Sequence, residues 1–187
     1  MTDNFDFLVP PGSTLLVSPE QIKQRVEQMA DEVCTVMAKD QQKPWVVLGV
    51  LRGAFVFMAD LVRSFNLPVE IDFIQLSSYG DQIRSSGNIE VVNIPTINLE
   101  NRSVLLVDDV LDTGNSMLWL VNYLNSLKVA KVLTCVLLDK PDCRKLAIGA
   151  NFVGFSLPPA YIVGYGLDKA QQYRQLPGIY QLPEEKA

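Results

Sequence analysis

The stretch VLLVDDVLDTGNS, from Val104 to Ser116, decides the fold. Four apolar residues at 104–107 are followed by three acids and a Thr-Gly-Asn-Ser turn, after which an apolar helical pattern begins. A short buried strand that leads through a polar loop into a helix is the repeating unit of parallel α/β sheets. The pattern therefore predicts a strand at 104–107, a polar loop at 108–116 and a helix at 117–127.

The polar half of this stretch has the chemistry of a sugar-phosphate site. The amides and the dipole at a helix start attract an anion, Gly114 allows close approach of the backbone, and Thr113 and Ser116 add hydroxyl donors. Asp108 and Asp109 can hold a hydrated Mg²⁺ or accept hydrogen bonds from vicinal sugar hydroxyls. A sugar phosphate satisfies both halves at once.

A purely structural interpretation of the same residues is available, because Asp, Thr, Gly and Asn are ordinary turn and cap residues. A single acid here would be a cap. Three acids with a hydroxyl pair around Gly114 favour a functional site instead. The segment is too short for a Walker A loop and lacks its Gly-Lys-Ser/Thr, which disfavours a nucleoside triphosphatase.

The flanking segments predict the rest of a parallel sheet. A helix begins at Pro19, where Ser18 is a good N-cap and Gln21 completes a capping box. The other periodic segments predict strands at 45–51, 69–76, 89–94 and 131–138 and a helix at 54–65. In such a sheet ligands bind at the carboxyl ends of the strands, so the residues that follow the strands should converge.

Two segments stand outside this alternation. Residues 77–88 are polar and contain Gly80 and Gly87, which predicts a hairpin excursion or a mobile lid. From Pro141 onward, strand-like pieces at 152–155 and 161–165 are broken by glycines and prolines, which predicts a small hood or flap. We expect one domain over 1–187, with a core at about 40–140 and a hood formed by about 141–187 together with the N-terminal segment 1–17.

Composition narrows the chemistry. The sequence contains no histidine, which excludes Ser-His-Asp and Cys-His catalysis and every His-ligated metal centre. A net charge of −5 argues against nucleic acid as the partner, because that affinity rests on clustered Lys and Arg. The three cysteines are widely spaced and form no metal or disulfide pattern. Small ligands are therefore the expected partners.

The sequence also predicts a location. It has no apolar stretch of about 18 residues or more, and its first residues carry Asp3 and Asp6 where a signal peptide needs basic ones. We therefore expect no membrane partner, and a cytoplasmic protein whose thiols are ordinary core residues.

Several segments together resemble the type I phosphoribosyltransferases, especially the hypoxanthine-guanine branch and its bacterial members. The 104–116 stretch resembles their phosphoribosyl pyrophosphate loop, Leu51-Arg52-Gly53 their pyrophosphate loop, and Ser77-Ser78-Tyr79-Gly80 their mobile catalytic lid. Residues 137–141 resemble the segment whose lysine meets the purine, and 161–168 with Tyr173-Arg174 the purine hood. The resemblance implies a twisted parallel sheet flanked by helices, with a small hood subdomain.

The resemblance also implies a role for each matching residue. Asp112 would be the general base that accepts the proton of purine N7 while N9 attacks the anomeric carbon. Asp108 and Asp109 would hold the ribose hydroxyls and Mg²⁺, and Asp168 a second Mg²⁺. The remaining roles are the 5′-phosphate for Thr113, Gly114, Asn115 and Ser116, the pyrophosphate for Arg52, Gly53, Ser78, Tyr79 and Arg174, and the purine for Lys140, Tyr161, Ile162 and Asp168.

Lys140 is the residue that selects the base in this scheme. Its ammonium is a pure donor, so it matches the O6 acceptor of hypoxanthine or guanine and disfavours the 6-amino group of adenine. By composition alone Lys140 is more often a solvated surface lysine, Tyr161 a core aromatic, and Arg52 and Arg174 solvated charges. The resemblance favours the functional alternatives.

Some positions depart from the family pattern, and some alternatives stay open. Asp108 stands where Glu is usual, 158–160 is less acidic than usual, and Lys169 replaces a common aromatic. The expected activity is hypoxanthine phosphoribosyltransfer, and transfer to guanine as well, by a homodimer or homotetramer. The alternatives are a xanthine-preferring enzyme and a regulatory protein of the same fold that binds a nucleotide, although such a protein should need a basic face.

Overall fold

The computed structural model describes residues 8–40, 43–78 and 89–183, and the side chains of 77, 78, 89 and 90 are not part of that description. The elements in chain order are β1 Thr14–Val17, α1 Pro19–Met37, β2 Trp45–Leu51, α2 Phe55–Arg63, β3 Val69–Ser78, β4 Ile89–Asn93, β5 Ser103–Leu111, α3 Asn115–Ser126, β6 Lys131–Asp139, β7 Phe152–Ser156, β8 Ile162–Val163 and β9 Ile179–Gln181. None of the helices described is long and apolar enough to cross a membrane.

A six-stranded sheet in the order β4-β3-β2-β5-β6-β7 forms the body of the molecule. All neighbouring strands are parallel except β3 and β4, which are antiparallel. Helices α1 and α2 cover one face, and α3 covers the other. The predicted parallel α/β sheet with flanking helices is confirmed, and the antiparallel edge strand β4 is an addition to it.

Strand β2 shows why the central strands are continuous apolar runs. Val47 packs in the core shared with α1 and α2, whereas Val46 and Leu48 pack in the core shared with α3. Since both faces of the sheet are covered, apolar residues are needed at successive positions rather than at alternate ones. The observed bounds of β2 are those that the apolar run predicts.

Strand β5 extends further than its apolar run predicts. The expected loop at 108–116 is wrong over its first four residues, because the strand continues to Leu111. Asp108 and Val110 stay in parallel register with Val136 and Leu138 on β6. Backbone pairing with β6 therefore carries the strand through residues whose side chains are typical of a loop.

A second sheet of three antiparallel strands, in the order β1-β9-β8, forms the hood. The prediction that assigned 152–155 to the hood is corrected, because β7 pairs with β6 at the edge of the main sheet. Phe152 is buried in the main core, and a Cβ on Gly154 would lie 2.4 Å from the Leu137 carbonyl oxygen. The missing side chain of Gly154 allows β7 to lie this close to β6.

Helix α1 begins as its sequence predicts. The Ser18 hydroxyl accepts a hydrogen bond from the Gln21 amide at 3.3 Å, and the Gln21 side chain accepts one from the Ser18 amide at 2.8 Å. This reciprocal capping box satisfies two amides that the helix itself cannot. It anchors the start of a helix whose buried face carries Ile22 and Val26.

Candidate active site

A cleft of about 270 Å³ lies at the carboxyl ends of β2, β3 and β5. It brings together the Leu51-Arg52-Gly53 loop, the acids of β5 and the start of α3. Its lining residues are Val50, Leu51, Gly53, Leu76, Asp108, Asp109, Val110, Leu111, Asp112, Thr113, Ser116 and Met117. A larger cleft of about 830 Å³ lies beside α1 and α2, but the acids of β5 do not line it.

Asp108 and Asp109 meet in this cleft at the end of β5. Each carboxylate accepts a hydrogen bond at 2.9 Å from the amide of the next residue, Asp109 and Val110 respectively. Burial raises the pKa of Asp108 well above its usual range, and the charge of Asp109 adds to this. Burial raises the pKa of Asp109 as well. Burial disfavours the charged form of both carboxylates, so a cation bound between them would stabilise that charged form.

Gly53 contacts this acidic pair from the loop that follows the neighbouring strand β2. A Cβ built on Gly53 would lie 1.6 Å from Oδ2 and 2.4 Å from Cγ of Asp109. The absence of a side chain at residue 53 therefore makes room for the carboxylate. The peptide bond between Leu51 and Arg52 is cis.

The turn from 112 to 115 leaves backbone donors free at the start of α3. Gly114 has φ +91°, a left-handed conformation, and α3 begins at Asn115. Within the described residues the amides of Thr113 and Gly114 donate to no protein acceptor, and the Asn115 amide makes a contact of 3.4 Å with the Thr113 hydroxyl. Free amides at a helix N-terminus, with Ser116 on the cleft wall, are the components of a phosphate site.

Arg52 and Arg174 are brought together by Gln171. The Gln171 side-chain oxygen accepts a hydrogen bond from Arg52 at 3.2 Å and from Arg174 at 3.0 Å. Arg174 also pairs with Asp168 at 2.7 Å and donates to the Gly166 carbonyl at 2.7 Å. Two guanidinium groups therefore lie beside the Leu51-Arg52-Gly53 loop, where an oligophosphate would find bidentate donors.

The hood touches this loop directly. A Cβ on Gly166, whose φ is +101°, would lie 2.2 Å from the Gly53 carbonyl oxygen. Next to it, the buried Tyr165 hydroxyl donates to the Asp60 carboxylate on α2 at 2.7 Å, and burial raises the pKa of this tyrosine. The hood is thereby fixed against the side of the cleft that the Leu51-Arg52-Gly53 loop forms.

Lys140 is buried, with 7% of its surface exposed. Its ammonium donates to the Ala160 carbonyl at 2.7 Å, and its amide donates to the Leu111 carbonyl at 3.0 Å. The alternative of a solvated surface lysine is therefore wrong. Because Leu111 precedes Asp112, Lys140 lies next to the predicted base.

The predicted purine contacts on the hood differ in burial. Tyr161 is 59% exposed, so the alternative of a core aromatic is wrong, and its ring lies 6.0 Å from the Lys169 ammonium. Ile162 is buried on β8. An exposed ring next to a buried strand is a surface on which a planar ligand can stack.

Residues 17–170 match the family model described as "Phosphoribosyl transferase domain". The chain belongs to the phosphoribosyltransferase family. It is 44% identical over 170 residues to a hypoxanthine-guanine phosphoribosyltransferase of Aquifex aeolicus, and the matched region covers 91% of this chain and 94% of that relative. It is 38% identical over 165 residues to the hypoxanthine-guanine phosphoribosyltransferase of Bacillus subtilis, spanning 88% and 90%.

A solved structure gives the same result for the fold. The crystal structure of a hypoxanthine phosphoribosyltransferase from Staphylococcus aureus superposes with a TM-score of 0.85 at 34% identity and covers 91% of each chain. The predicted family, its hypoxanthine-guanine branch and the type I phosphoribosyltransferase fold are therefore confirmed.

The structure gathers the predicted phosphoribosyltransferase residues into two groups. One group lines the cleft at the end of β5, and it consists of Gly53, Asp108, Asp109, Asp112, Thr113 and Ser116. The other lies on the hood side, where Arg174 pairs with Asp168, whereas Tyr161 lines a separate hollow of the hood with Lys169. Tyr79 lies outside the described residues, as does the side chain of Ser78, so the catalytic lid stays a prediction.

Two residues that contact the predicted site residues were not predicted from the sequence. Gln171 connects Arg52 to Arg174, and Arg144 contacts Asp112 and Asp139. Both are polar residues in segments without periodicity, and in such segments exposure to solvent is the default expectation. The available signal was position alone, since Gln171 follows Asp168 by three residues and Arg144 follows Lys140 by four.

Proposed function

We propose that this chain transfers the 5-phosphoribosyl group of phosphoribosyl pyrophosphate to N9 of hypoxanthine, and of guanine, giving IMP or GMP and pyrophosphate. The observation that carries this assignment is the burial of Lys140. Its main-chain amide donates a hydrogen bond to the carbonyl of Leu111, the residue before Asp112. The lysine that would donate to a 6-oxo group is thus bonded through its backbone to the residue that precedes the predicted base. The names of the relatives from Aquifex aeolicus and Bacillus subtilis agree with it.

The chain's own residues divide the reaction into binding and proton transfer. The free amides of Thr113 and Gly114, with Ser116, hold the 5′-phosphate, and Arg52 and Arg174 neutralise the pyrophosphate. As purine N9 bonds to the anomeric carbon, the bond from that carbon to pyrophosphate breaks and its electrons leave with the pyrophosphate. Asp112 accepts the N7 proton, which becomes more acidic as N9 gives up its electron pair.

Positioning supplies most of the acceleration in this scheme. A carboxylate is a weak base at neutral pH, and general-base help is worth roughly 10²–10⁴-fold. The larger contribution comes from fixed charges and amides around a sugar that develops positive charge. The main contribution of the acids and amides that line the cleft is therefore to bind and orient the substrates, and proton transfer adds a smaller factor.

The acidic pair fits magnesium. Within the described residues no group of three or more His, Cys, Asp and Glu side chains could hold a metal ion by itself. Asp108 and Asp109 would supply hard oxygen ligands, with substrate and water completing the shell. Asp168, the predicted second ligand, already bonds to Arg174 and to the Gln171 amide at 2.8 Å, so it would offer its remaining lone pairs. A magnesium ion held there would supply positive charge to offset the charge of the leaving pyrophosphate.

A steady-state assay with phosphoribosyl pyrophosphate and Mg²⁺ tests the proposal. We expect turnover with hypoxanthine and guanine, and turnover with adenine lower by orders of magnitude. A preference for xanthine would reassign the base, and no turnover with any of the four purines would refute the enzyme assignment. Omitting Mg²⁺ and adding a chelator should abolish activity, and restoring the metal should recover it.

Assembly, location and partners complete the proposal. The chain acts as a homodimer or homotetramer in the cytoplasm, with small-molecule partners and no nucleic acid. Light scattering coupled to size exclusion measures the assembly, and a monomer with full activity would refute the first statement.

A further inference from the structure

The segment 140–145, which follows β6, holds carbonyl groups at the end of β5. The amide of Lys140 donates to the Leu111 carbonyl, and the amide of Lys145 donates to the Thr113 carbonyl, each at 3.0 Å. Both contacts come from the backbone, so any residue other than proline could make them. The carbonyl between them, that of the predicted base Asp112, has a different kind of partner.

Arg144 supplies that partner. Its Nη1 donates to the Asp112 carbonyl, and its Nη2 donates to the carboxylate of Asp139. The side chains of Arg144 and Asp139 are only 14% and 19% exposed. Charge-assisted bonds in this setting are stronger and less screened than those on a surface.

The arginine also connects the two halves of the site. Asp139 ends β6 in register with Leu111 on β5, and Lys140 follows Asp139 directly. The stem of Arg144 lies beside the phosphate turn, since its Cδ would be 3.3 Å from a Cβ on Gly114. The Arg144 side chain therefore contacts three parts of the site. These are Asp139, which precedes Lys140, the predicted base Asp112, and the turn at Gly114.

We propose that Arg144 is a positioning residue that fixes Asp112 relative to the purine. The inference rests on the proposed function, because it takes Asp112 as the base. The guanidinium binds the carbonyl of Asp112 and so holds the peptide group next to its Cα. Without that bond the peptide group could shift, and the Asp112 carboxylate would shift with it. Asp139 supplies the negative charge that keeps the guanidinium in place. Arg144 itself touches neither substrate nor proton.

Arg144→Met is the first test, because methionine keeps an apolar stem beside Gly114 and removes both hydrogen bonds. We expect kcat to fall by about 10- to 100-fold while the KM for phosphoribosyl pyrophosphate changes by less than about threefold. Arg144→Lys should recover part of kcat, since a single ammonium can serve one of the two acceptors. A folded Arg144→Met enzyme with wild-type kcat would overturn the proposal.

Arg25 provides a matched control on the same molecule. It also donates to main-chain carbonyls, those of Val153 at 2.8 Å and Gly154 at 3.1 Å, and pairs with the Glu32 carboxylate at 2.7 Å. Arg25→Met should lower thermal stability in a comparable way and leave kcat unchanged. If Arg25→Met loses kcat as much as Arg144→Met does, the role of Arg144 is structural and the proposal fails.

Two double variants separate positioning from folding. In an Asp112→Asn background, measured by single turnover with enzyme in excess, Arg144→Met should cause little further loss, because the base it positions is gone. In an Arg144→Met background, Asp139→Asn should raise the melting temperature by removing a carboxylate that lost its arginine, and should not restore kcat. Full additivity in the first pair, or recovery of kcat in the second, would contradict the proposal. If wild-type enzyme turns over none of the purines, the proposed function has failed instead.

Discussion

Replacing Gly53 by alanine should disable the cleft by displacing one carboxylate. The methyl carbon would lie 1.6 Å from Oδ2 of Asp109, and ordinary contact begins at about 3.4 Å, so that oxygen must move by about 1.8 Å. Gly53 has no positive φ, so the alanine backbone is unstrained and the effect is one of space. The Asp109 carboxylate must give up its present orientation, including its 2.9 Å bond to the Val110 amide.

The magnitude follows from the displacement. A misplacement of about 1 Å in a group that positions substrate can cost about 10²-fold, so kcat/KM for phosphoribosyl pyrophosphate should fall at least that far, or about 2.7 kcal/mol. Initial rates at varied phosphoribosyl pyrophosphate and fixed hypoxanthine give this ratio. Gly149→Ala is the control, because a Cβ at that position would have no atom within 4 Å, and it should leave kcat/KM unchanged.

A double-variant cycle tests the mechanism of the loss. If Gly53→Ala acts by moving the carboxylate, it should add little to Asp109→Ala, whose side chain no longer reaches the methyl group. Retention of activity within about threefold by a folded Gly53→Ala enzyme would refute the reasoning, since a 100-fold loss is expected. So would a full additional loss in the double variant, because Asp109 would then not be the residue through which Gly53 acts.

Three further predictions concern the base, the purine and the fold. Asp112→Asn should lower kcat by about 10²–10⁴-fold while calorimetry shows IMP still bound, and a near-normal kcat would remove Asp112 as the base. Lys140→Met should shrink the ratio of kcat/KM for hypoxanthine over adenine by about 10- to 100-fold, the value of a charged hydrogen bond, and an unchanged ratio would contradict its role. Burial tends to raise the pKa of Asp72, but hydrogen bonds from the amides of Ile97, Phe73 and Thr96 and from the Thr96 hydroxyl outweigh this and hold it below its usual value. A lowered pKa contributes stability that is fully present above the unfolded pKa of about 3.9 and is lost as the pH falls through the folded pKa. The difference in unfolding free energy between wild type and Asp72→Asn, measured by denaturant titration, should therefore narrow below about pH 3.9. A difference that stays constant with pH would contradict this.

The parts of the fold that the sequence predicts well are those fixed by local rules. The bounds of β2 follow from an apolar run that both faces of the sheet require. The start of α1 follows from the capping box of Ser18 and Gln21. In each case neighbouring residues contain the whole cause, so no knowledge of distant contacts is needed.

Elements that depend on a distant partner were harder to predict. Strand β7 is short and contains Gly154, and its place in the main sheet depends on the backbone of Leu137 on β6. The burial of Lys140 depends on the Ala160 carbonyl, twenty residues further along the chain. Composition assigns such residues to loops or to the surface, and tertiary contacts override that assignment.

The acids of β5 lie where the side-chain alternation of the strand changes phase. Val104 and Leu106 pack toward α3, and Leu105 and Val107 pack toward α1 and α2, as a regular strand requires. Val110 packs in the core that α1, α2 and the hood share, and Leu111 packs in the core of α3, which reverses the order that strict alternation predicts.

Strict alternation would send Asp108 and Asp109 to opposite faces of the sheet, yet both line the same cleft as Asp112. Each of the pair bonds to the amide that follows it, and these bonds hold the carboxylates in orientations that a regular strand does not give. The acidic site therefore depends on a local break in the strand period, with the pairing to β6 in the same register on either side. Periodicity cannot reveal such a break, because its signal assumes that the period continues.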